Sequence, residues 1–515
     1  MLGLADARDA DSGIDCISPA PAPAPSLAVH AANRLMFGPK PGDIAAIESM
    51  GYEGFLAQQL DPAGIDDSAC EAILATRPSN TFSESWSQLY DRRSNSDYNN
   101  VVILPLRQVR EHTWLRMIHS RRQLYERMVD FWHNHFNVFG FEFIVRSMWP
   151  KWDATIRQHA LGNFRQFLEA TAVNPVMLYY LDNYVNTNAG TNENYARELF
   201  ELHALGEENY RAPGGYVDDD VYEASRCFTG WTFERGSSAP NRGEFVYIES
   251  QHDRFQKIVL GTSIPRDLPA MADGRMVFDL LANHPGTARH IARKLARRFV
   301  SDTPSEALVL STAAVFQANV AHPQQIRLTL QHLLSSEEFR DVSSRDRKMK
   351  RPIDWCVSVF RSLNMTWPPV LVENGQPRPN DLIYWLYDQI GQPTFSWRPP
   401  DGPPDELTYW ASSNGLLRRW NFIGNVSSGS YYPDRGLDYP WDGIMPAEVT
   451  TTRGIVDWWV QRLLGRSLSP ATHEALMQFV ARGRDYDIAL PASQISDKLK
   501  HLLALIVMTP EFQRR

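Results

Sequence analysis

Along most of the chain apolar residues recur at three- and four-residue spacing, the signature of helices that bury one face. In "KPGDIAAIESMG", Pro41 and Asp43 mark a start and Gly51 an end, while "SRRQLYERMVDFWHNHF" (120–136) sets Leu124, Met128, Phe131 and Trp132 on one arc. Alternating patterns are scarce. The clearest, "GEFVYIES" at 243–250 followed by "FQKIVLG", predicts one short hairpin near 243–260. The pattern predicts a mostly α, multi-helical globular fold with a minor β-hairpin.

Residues 1–27 read as a disordered leader, because "PAPAPAP" favours polyproline II and offers nothing to pack, so order should begin near Ser26. A main helical domain over 28–345 and a C-terminal helical region over 346–515 follow. Two stretches break the periodicity: "YDRRSNSDYNN" at 90–100, and 391–410, where proline and glycine mix with Phe395, Trp397, Tyr409 and Trp410 beside Arg398. The second reads either as a loop that pins itself to the core or as a ligand wall for stacking sugars. The segments 294–316 and 459–480 share one order: basic-apolar helix, Ser/Thr turn with proline, amphipathic helix. Each module closes on a third helix, with "LLSSEEF" in one and "LIVMTPEF" in the other. They read as duplicated helical modules or as convergence on one hairpin pattern.

A chain of 515 residues, 43% hydrophobic, can bury a large core. Its net charge of -8, with acids and bases interleaved, offers no basic face to track a phosphate backbone, so nucleic acid is not an expected partner. Cys16, Cys70, Cys227 and Cys356 form no CxxC pair. No apolar run is long enough to span a membrane, and the N-terminal stretch lacks the basic and apolar regions of an export signal.

The densest chemistry stands in "NENYARELFELHALG", 192–206, which reads as one amphipathic helix. Glu193, Arg197 and Glu201 fall at i, i+4, i+8 opposite the apolar arc, an ordinary solvated ladder. Glu198 and His203 point into the apolar side. A carboxylate there either pairs with a cation, for which Arg289 or Arg293 are candidates, or keeps its proton and becomes a general acid. In "FWHNHF", His135 lies mid-arc and His133 at the edge, so the two share one metal only if the helix ends there; the alternative is an ordinary core histidine. His252 and Asp253 follow the strand pattern, where a carboxylate can orient an imidazole. Arg289, Arg293 and Arg297 form a basic stripe that meets Glu198, an anionic substrate or solvent. Nucleotide loops, the GxSxG elbow and HExxH are all missing from the sequence, which argues against nucleotide-dependent chemistry, serine hydrolysis and zincin proteolysis.

In this order, "ANRLMFGPKPGD", "RMVDFWHNHFNV", "NENYARELFELHALG", "DDDVYEASRCFTGW", "HDRFQK", "HPGTARHIARKLARRFVSD", "GQPTFSWRPPDG" and "TPEFQ" resemble the bacterial "domain of unknown function 1800" family, from about Ala31 to the C terminus. The resemblance implies a bacterial, often exported protein, periplasmic or secreted, with a sulfatase-like partner enzyme encoded nearby and a polysaccharide as substrate. Its motif residues fall here on His133, His135, Asn192, Glu193, Asn194, Arg197, Glu198, Glu201, Asp220, His252, Asp253, His284 and Arg289. The chain departs from the family at His203, where an aromatic residue is commoner, and in the longer 391–410 segment.

These readings converge on a hydrolase acting on an extracellular glycan or glycoconjugate. Glu198, His135, Asp253 and Arg197 are its catalytic candidates, and Asn194, Arg289, Trp397, Arg398 and Trp410 contact substrate. Two alternatives stand: an oxidoreductase or hydroxylase with a divalent metal on His133 and His135, and a non-catalytic binding or assembly partner.

Overall fold

The computed structural model describes residues 20–365, 371–373, 376–378, 387–428 and 444–515. Among them the architecture is mostly α, with three small antiparallel hairpins as the only sheets. No helix among the described residues is long and apolar enough to cross a membrane.

Apolar side chains gather into two large cores. One runs from Ala28 to Phe339; the other takes Ile353 to Phe512 together with Phe37, Trp114, Met117 and Ile118. The Leu104–His119 helix serves both, with Leu106 and Val109 in the first and Trp114, Met117 and Ile118 in the second. Beside it lies Pro352–Ser362, buried along its whole length. A helix so enclosed carries its polar groups into the interior, where they need partners. Asp354 takes Arg127 at 2.5 Å and Arg351 at 3.2 Å, and Asp130 takes Arg298 and Arg351. This seam of buried ion pairs sits where the two cores meet.

The first helix, Leu27–Leu35, begins where expected, its N-terminus capped by the Ser26 hydroxyl on the Val29 N–H. The leader expected over 1–27 needs correction at its end. The Pro23 and Pro25 carbonyls accept from Arg466 at 2.6 Å and Arg345 at 2.9 Å, so that stretch is tethered, while residues 1–19 lie outside the described residues. The 90–100 segment is also less open than its composition suggests: Trp86–Arg92 is helical and Tyr98–Val102 forms a π-turn.

The single hairpin expected over 243–260 is replaced by two. Strand β1 (Trp231–Phe233) pairs with β2 (Phe245–Tyr247), and β3 (Lys257–Val259) pairs with β4 (Thr262–Ile264). The reason lies at Leu260-Gly261, both at positive φ (49° and 70°), the two-residue turn whose twist suits a tight hairpin. A third hairpin, β5 (Leu371–Glu373) with β6 (Gln376–Arg378), was not foreseen.

The paired modules share their order of helices and caps. Pro285–Phe299, Glu306–Ala318, Gln325–Leu334 and Glu337–Arg340 correspond to Thr452–Leu464, Pro470–Ala481, Ala492–Met508 and Pro510–Gln513. Ser305 and Ser469 cap the second helix of each module, and Ser336 and Thr509 cap the last. Phe339 and Phe512, three residues past those last caps, are buried in the respective cores.

Candidate functional site

The Gln123–His135 helix stops at His135, and its last turn stands between two cavities. Segment 391–406 lies over this turn. The Asn137 side-chain amide donates to the carbonyls of Trp397 (3.0 Å) and Pro399 (2.7 Å), and the Gly140 N–H donates to Phe395 at 2.8 Å. Gly402 sits so close that a Cβ there would meet the Asn134 carbonyl oxygen at 2.1 Å. The segment therefore pins itself to the core and walls both cavities at once. Trp410 is buried, its indole donating to the Pro404 carbonyl at 2.7 Å. Trp397 is half-buried and donates to Asp401 at 2.9 Å; Arg398 is exposed, over the ring of Phe139.

His133 faces the first cavity. Its Nε2 lies 2.9 Å from Asp153, whose other oxygen accepts from Arg157 at 2.8 Å, and its ring contacts Trp149 and Phe395. Burial raises the Asp153 pKa, but the Arg157 charge and the His133 hydrogen bond outweigh it and hold the carboxyl below its usual range.

His135 faces the second cavity, a cleft of about 240 Å³ also lined by Phe131, Lys294, Arg297, Asp401 and Glu406. The His135 Nε2 is 3.1 Å from the His203 carbonyl oxygen. Its ring centroid stands 6.2 Å from that of His203 and 6.3 Å from that of His290. Burial, and then the charge of Lys294, keeps His135 and His203 well below the ordinary imidazole range, His203 at about 3, so both are neutral. Lys294 is itself pushed down to about 8, chiefly by burial. Neither Lys294 nor Arg297 forms an ion pair or hydrogen bond among the described residues, whereas Arg298 and Arg351 are neutralised by Asp130 and by Asp405 or Asp354.

The metal reading is not supported by this geometry. His133 and His135 turn to opposite sides of the helix end, and no group of three His, Cys, Asp or Glu side chains among the described residues converges to hold an ion.

The 192–206 stretch is not one α-helix. Asn194–Glu198 is α-helical and Leu199–Ala204 continues as a π-helix, with the Leu205 N–H on the Phe200 carbonyl at 3.0 Å. Such insertions concentrate at functional sites. Arg197 forms the expected ladder with Glu193 (3.1 Å) and Glu201 (3.4 Å) and adds Asp218 at 3.2 Å. Glu198 is half-buried without a hydrogen bond or ion pair among the described residues. The arginines expected to meet it are engaged elsewhere: Arg289 and Arg293 both reach Glu306, at 2.6 and 3.1 Å, on the next helix. Burial, reinforced by repulsion from Glu201 and Asp401, raises Glu198 to about 7.

The remaining candidates scatter. Asn194 is exposed, with its amide 3.5 Å from Asp182, and Arg289 is half-exposed on Glu306. Asp253 does not orient His252; it accepts from Arg226 at 2.8 Å, and the carboxylate on His252 is Asp273 at 3.0 Å, shared with Lys257 at 2.8 Å. Arg197 and Arg226 bind at opposite ends of the Asp218–Cys227 helix, about 12 Å of helical rise apart, so Asp253 belongs to a separate cluster. Asp153, Asp273, Asp401 and Tyr387 were missed, because no sequence spacing ties them to their partners.

The family model described as "Protein of unknown function (DUF1800)" matches residues 30–514. No curated protein and no solved structure matches.

Proposed function

Because the chain belongs to the DUF1800 family, whose description assigns no activity, we propose its function from the chemistry of the cleft: hydrolysis of a glycan or glycoconjugate, with Glu198 as the proton donor. The supporting observation is Glu198 itself, a half-buried carboxyl outside the cleft's lining, with no hydrogen bond or ion pair among the described residues, raised to about 7 and within electrostatic reach of Asp401 on the cleft wall. A general acid needs a proton still bound at neutral pH, and a second carboxylate nearby serves a developing positive charge or an attacking water. Lys294 and Arg297, on one wall and without a hydrogen bond or ion pair among the described residues, suit a carboxylate or sulfate group on the sugar. His135, neutral and buried, shapes the floor of the cleft. A periplasmic or secreted location fits such a substrate and belongs to the same proposal.

The test is release of reducing ends from a panel of neutral, uronate-bearing and sulfated polysaccharides, comparing the wild-type chain with Glu198→Gln. Turnover lost in a folded Gln variant supports the reading. Silence across the panel, or a Gln variant as fast as wild type, overturns it.

A further inference from the structure

We propose that His290 is an acid-operated clamp on the π-helix that follows Glu198: as an imidazolium it ties the end of that helix to Glu208, and it lets go as the medium turns neutral. The His290 Nδ1 is 3.2 Å from a Glu208 carboxylate oxygen, and its Nε2 is 3.3 Å from the Leu202 carbonyl oxygen. Both oxygens can only accept, so both contacts are hydrogen bonds only when each ring nitrogen carries a proton. A neutral ring has one N–H and must leave the other acceptor facing a lone pair.

Position gives the contact its leverage. Leu202 belongs to the last turn of the Leu199–Ala204 π-helix, where carbonyls run out of helical N–H partners, and His290 on the neighbouring Pro285–Phe299 helix supplies one. The chain then turns at Gly206, φ 87°, where a Cβ would collide with both the Glu208 carboxylate and the His290 ring. Helix end, turn and clamp are one packed unit behind the cleft, with the His290 ring centroid 6.3 Å from that of His135 on the cleft lining.

The groups around the ring set its working range. Burial draws His290 below the ordinary imidazole range; the Glu208 hydrogen bond opposes that, and the charge of Lys294 on the same helix adds to it. His135 and His203 face it from their own elements as neutral rings, and Arg293 acts on Glu208. Burial raises the Glu208 carboxyl, but the His290 bond and charge outweigh it and hold it at about 2, so the ring is the partner that changes charge. The clamp therefore closes in acid, on the low side of an ordinary histidine. It rests on these contacts alone, whether or not Glu198 is catalytic.

Hydrogen exchange in the full chain tests it at the Leu205 and Gly206 amides, which both bond the Phe200 carbonyl at 3.0 Å and report the helix end. Protection is taken relative to the unstructured chain at each pH, which removes the chemical rate. Glu208→Gln offers an amide that donates to a neutral Nδ1, so this variant should stay clamped at every pH, whereas His290→Phe should stay open. We expect wild-type protection to fall about tenfold between about pH 4 and 8, with both variants flat, Glu208→Gln high and His290→Phe low. The ¹⁵N signals of the wild-type His290 ring should show two protonated nitrogens at the acid end and one at the neutral end, a reading that needs no variant to fold. Wild-type protection that ignores pH overturns the proposal, as does a Glu208→Gln variant that follows pH like wild type, or a ring never doubly protonated across that range.

Discussion

Asp153 joins two partners through its two oxygens: Oδ1 lies 2.9 Å from Nε2 of His133, and Oδ2 takes the Nε–H of Arg157 at 2.8 Å. Arg157 then donates to both oxygens of Glu126 at 3.0 Å. Removing the central carboxylate leaves a buried guanidinium half-paired, so Asp153→Asn should cost about 3–5 kcal/mol at pH 7. The cost has a pH signature. The folded carboxyl titrates below its unfolded value, so its stabilisation is complete above about pH 4 and is lost as pH falls further. Urea unfolding at pH 7 and near pH 2 should show the gap between wild type and variant narrowing in acid; a gap equal at both would refute the assignment.

Glu198 has the opposite sign. Its carboxyl ionises near 7 in the fold and near 4.3 in the unfolded chain, so the folded state keeps a proton that the unfolded state has released. Stability therefore declines between about pH 4 and 7. Glu198→Gln should be more stable than wild type above pH 7, by on the order of 1 kcal/mol once solvent screening is allowed for, with no advantage at pH 4. Turnover should fall about 10²- to 10⁴-fold, and wild-type kcat/KM should drop tenfold per pH unit above about 7. A rate that rises through that window would exclude Glu198 as the acid.

Much of the fold could be read from periodicity, because helices bury a stripe and caps announce their ends. Ser26, Ser305 and Ser469 all cap helices near the predicted starts. The solvated ladder of Glu193, Arg197 and Glu201 followed from i, i+4 spacing. The partners were not legible. Glu198 was placed on the inward face, yet its expected arginines answer to Glu306, a residue one helix away that no periodicity singles out. His252 pairs with Asp273, twenty-one positions on, in place of its neighbour Asp253. Periodicity also misled over 199–204, where the π-helix departs from the 3.6-residue repeat on which side-chain directions were drawn.

Gly402 is where the long segment touches the helix end. Its φ of 74° suits glycine, and an added methyl would press within 2.1 Å of the Asn134 carbonyl, a backbone atom that cannot turn aside. Gly402→Ala should therefore lower stability by about 2–4 kcal/mol, combining left-handed strain with displacement of 399–405. Thermal unfolding measures the loss. Because that segment walls the cleft, limited proteolysis near Pro403 should speed up in the variant while the helices stay protected; an unchanged digestion pattern would show that the contact does not hold the segment down.

Lys294 is the reverse of an ordinary surface lysine, since burial brings its ammonium down to about 8 although Glu208, Asp401 and Asp405 pull the other way. An unfolded lysine titrates near 10.4, so between about pH 8 and 10.4 the unfolded chain holds the extra proton and stability rises with pH. Below that window the fold bears the full cost of a charge it does not pair. Lys294→Met removes the cost, and the variant should gain on the order of 1–2 kcal/mol at pH 7, with the gain shrinking as pH approaches 10. A protein keeps such a charge against its own stability where a ligand uses it. The same variant should therefore raise KM about tenfold for a uronate-bearing or sulfated glycan and leave a neutral one unaffected. Denaturation across pH and kinetics on the two substrate types separate the claims. Loss of stability at pH 7 would mean that Lys294 is paired within the fold, and equal loss on both substrates would remove it from anion recognition.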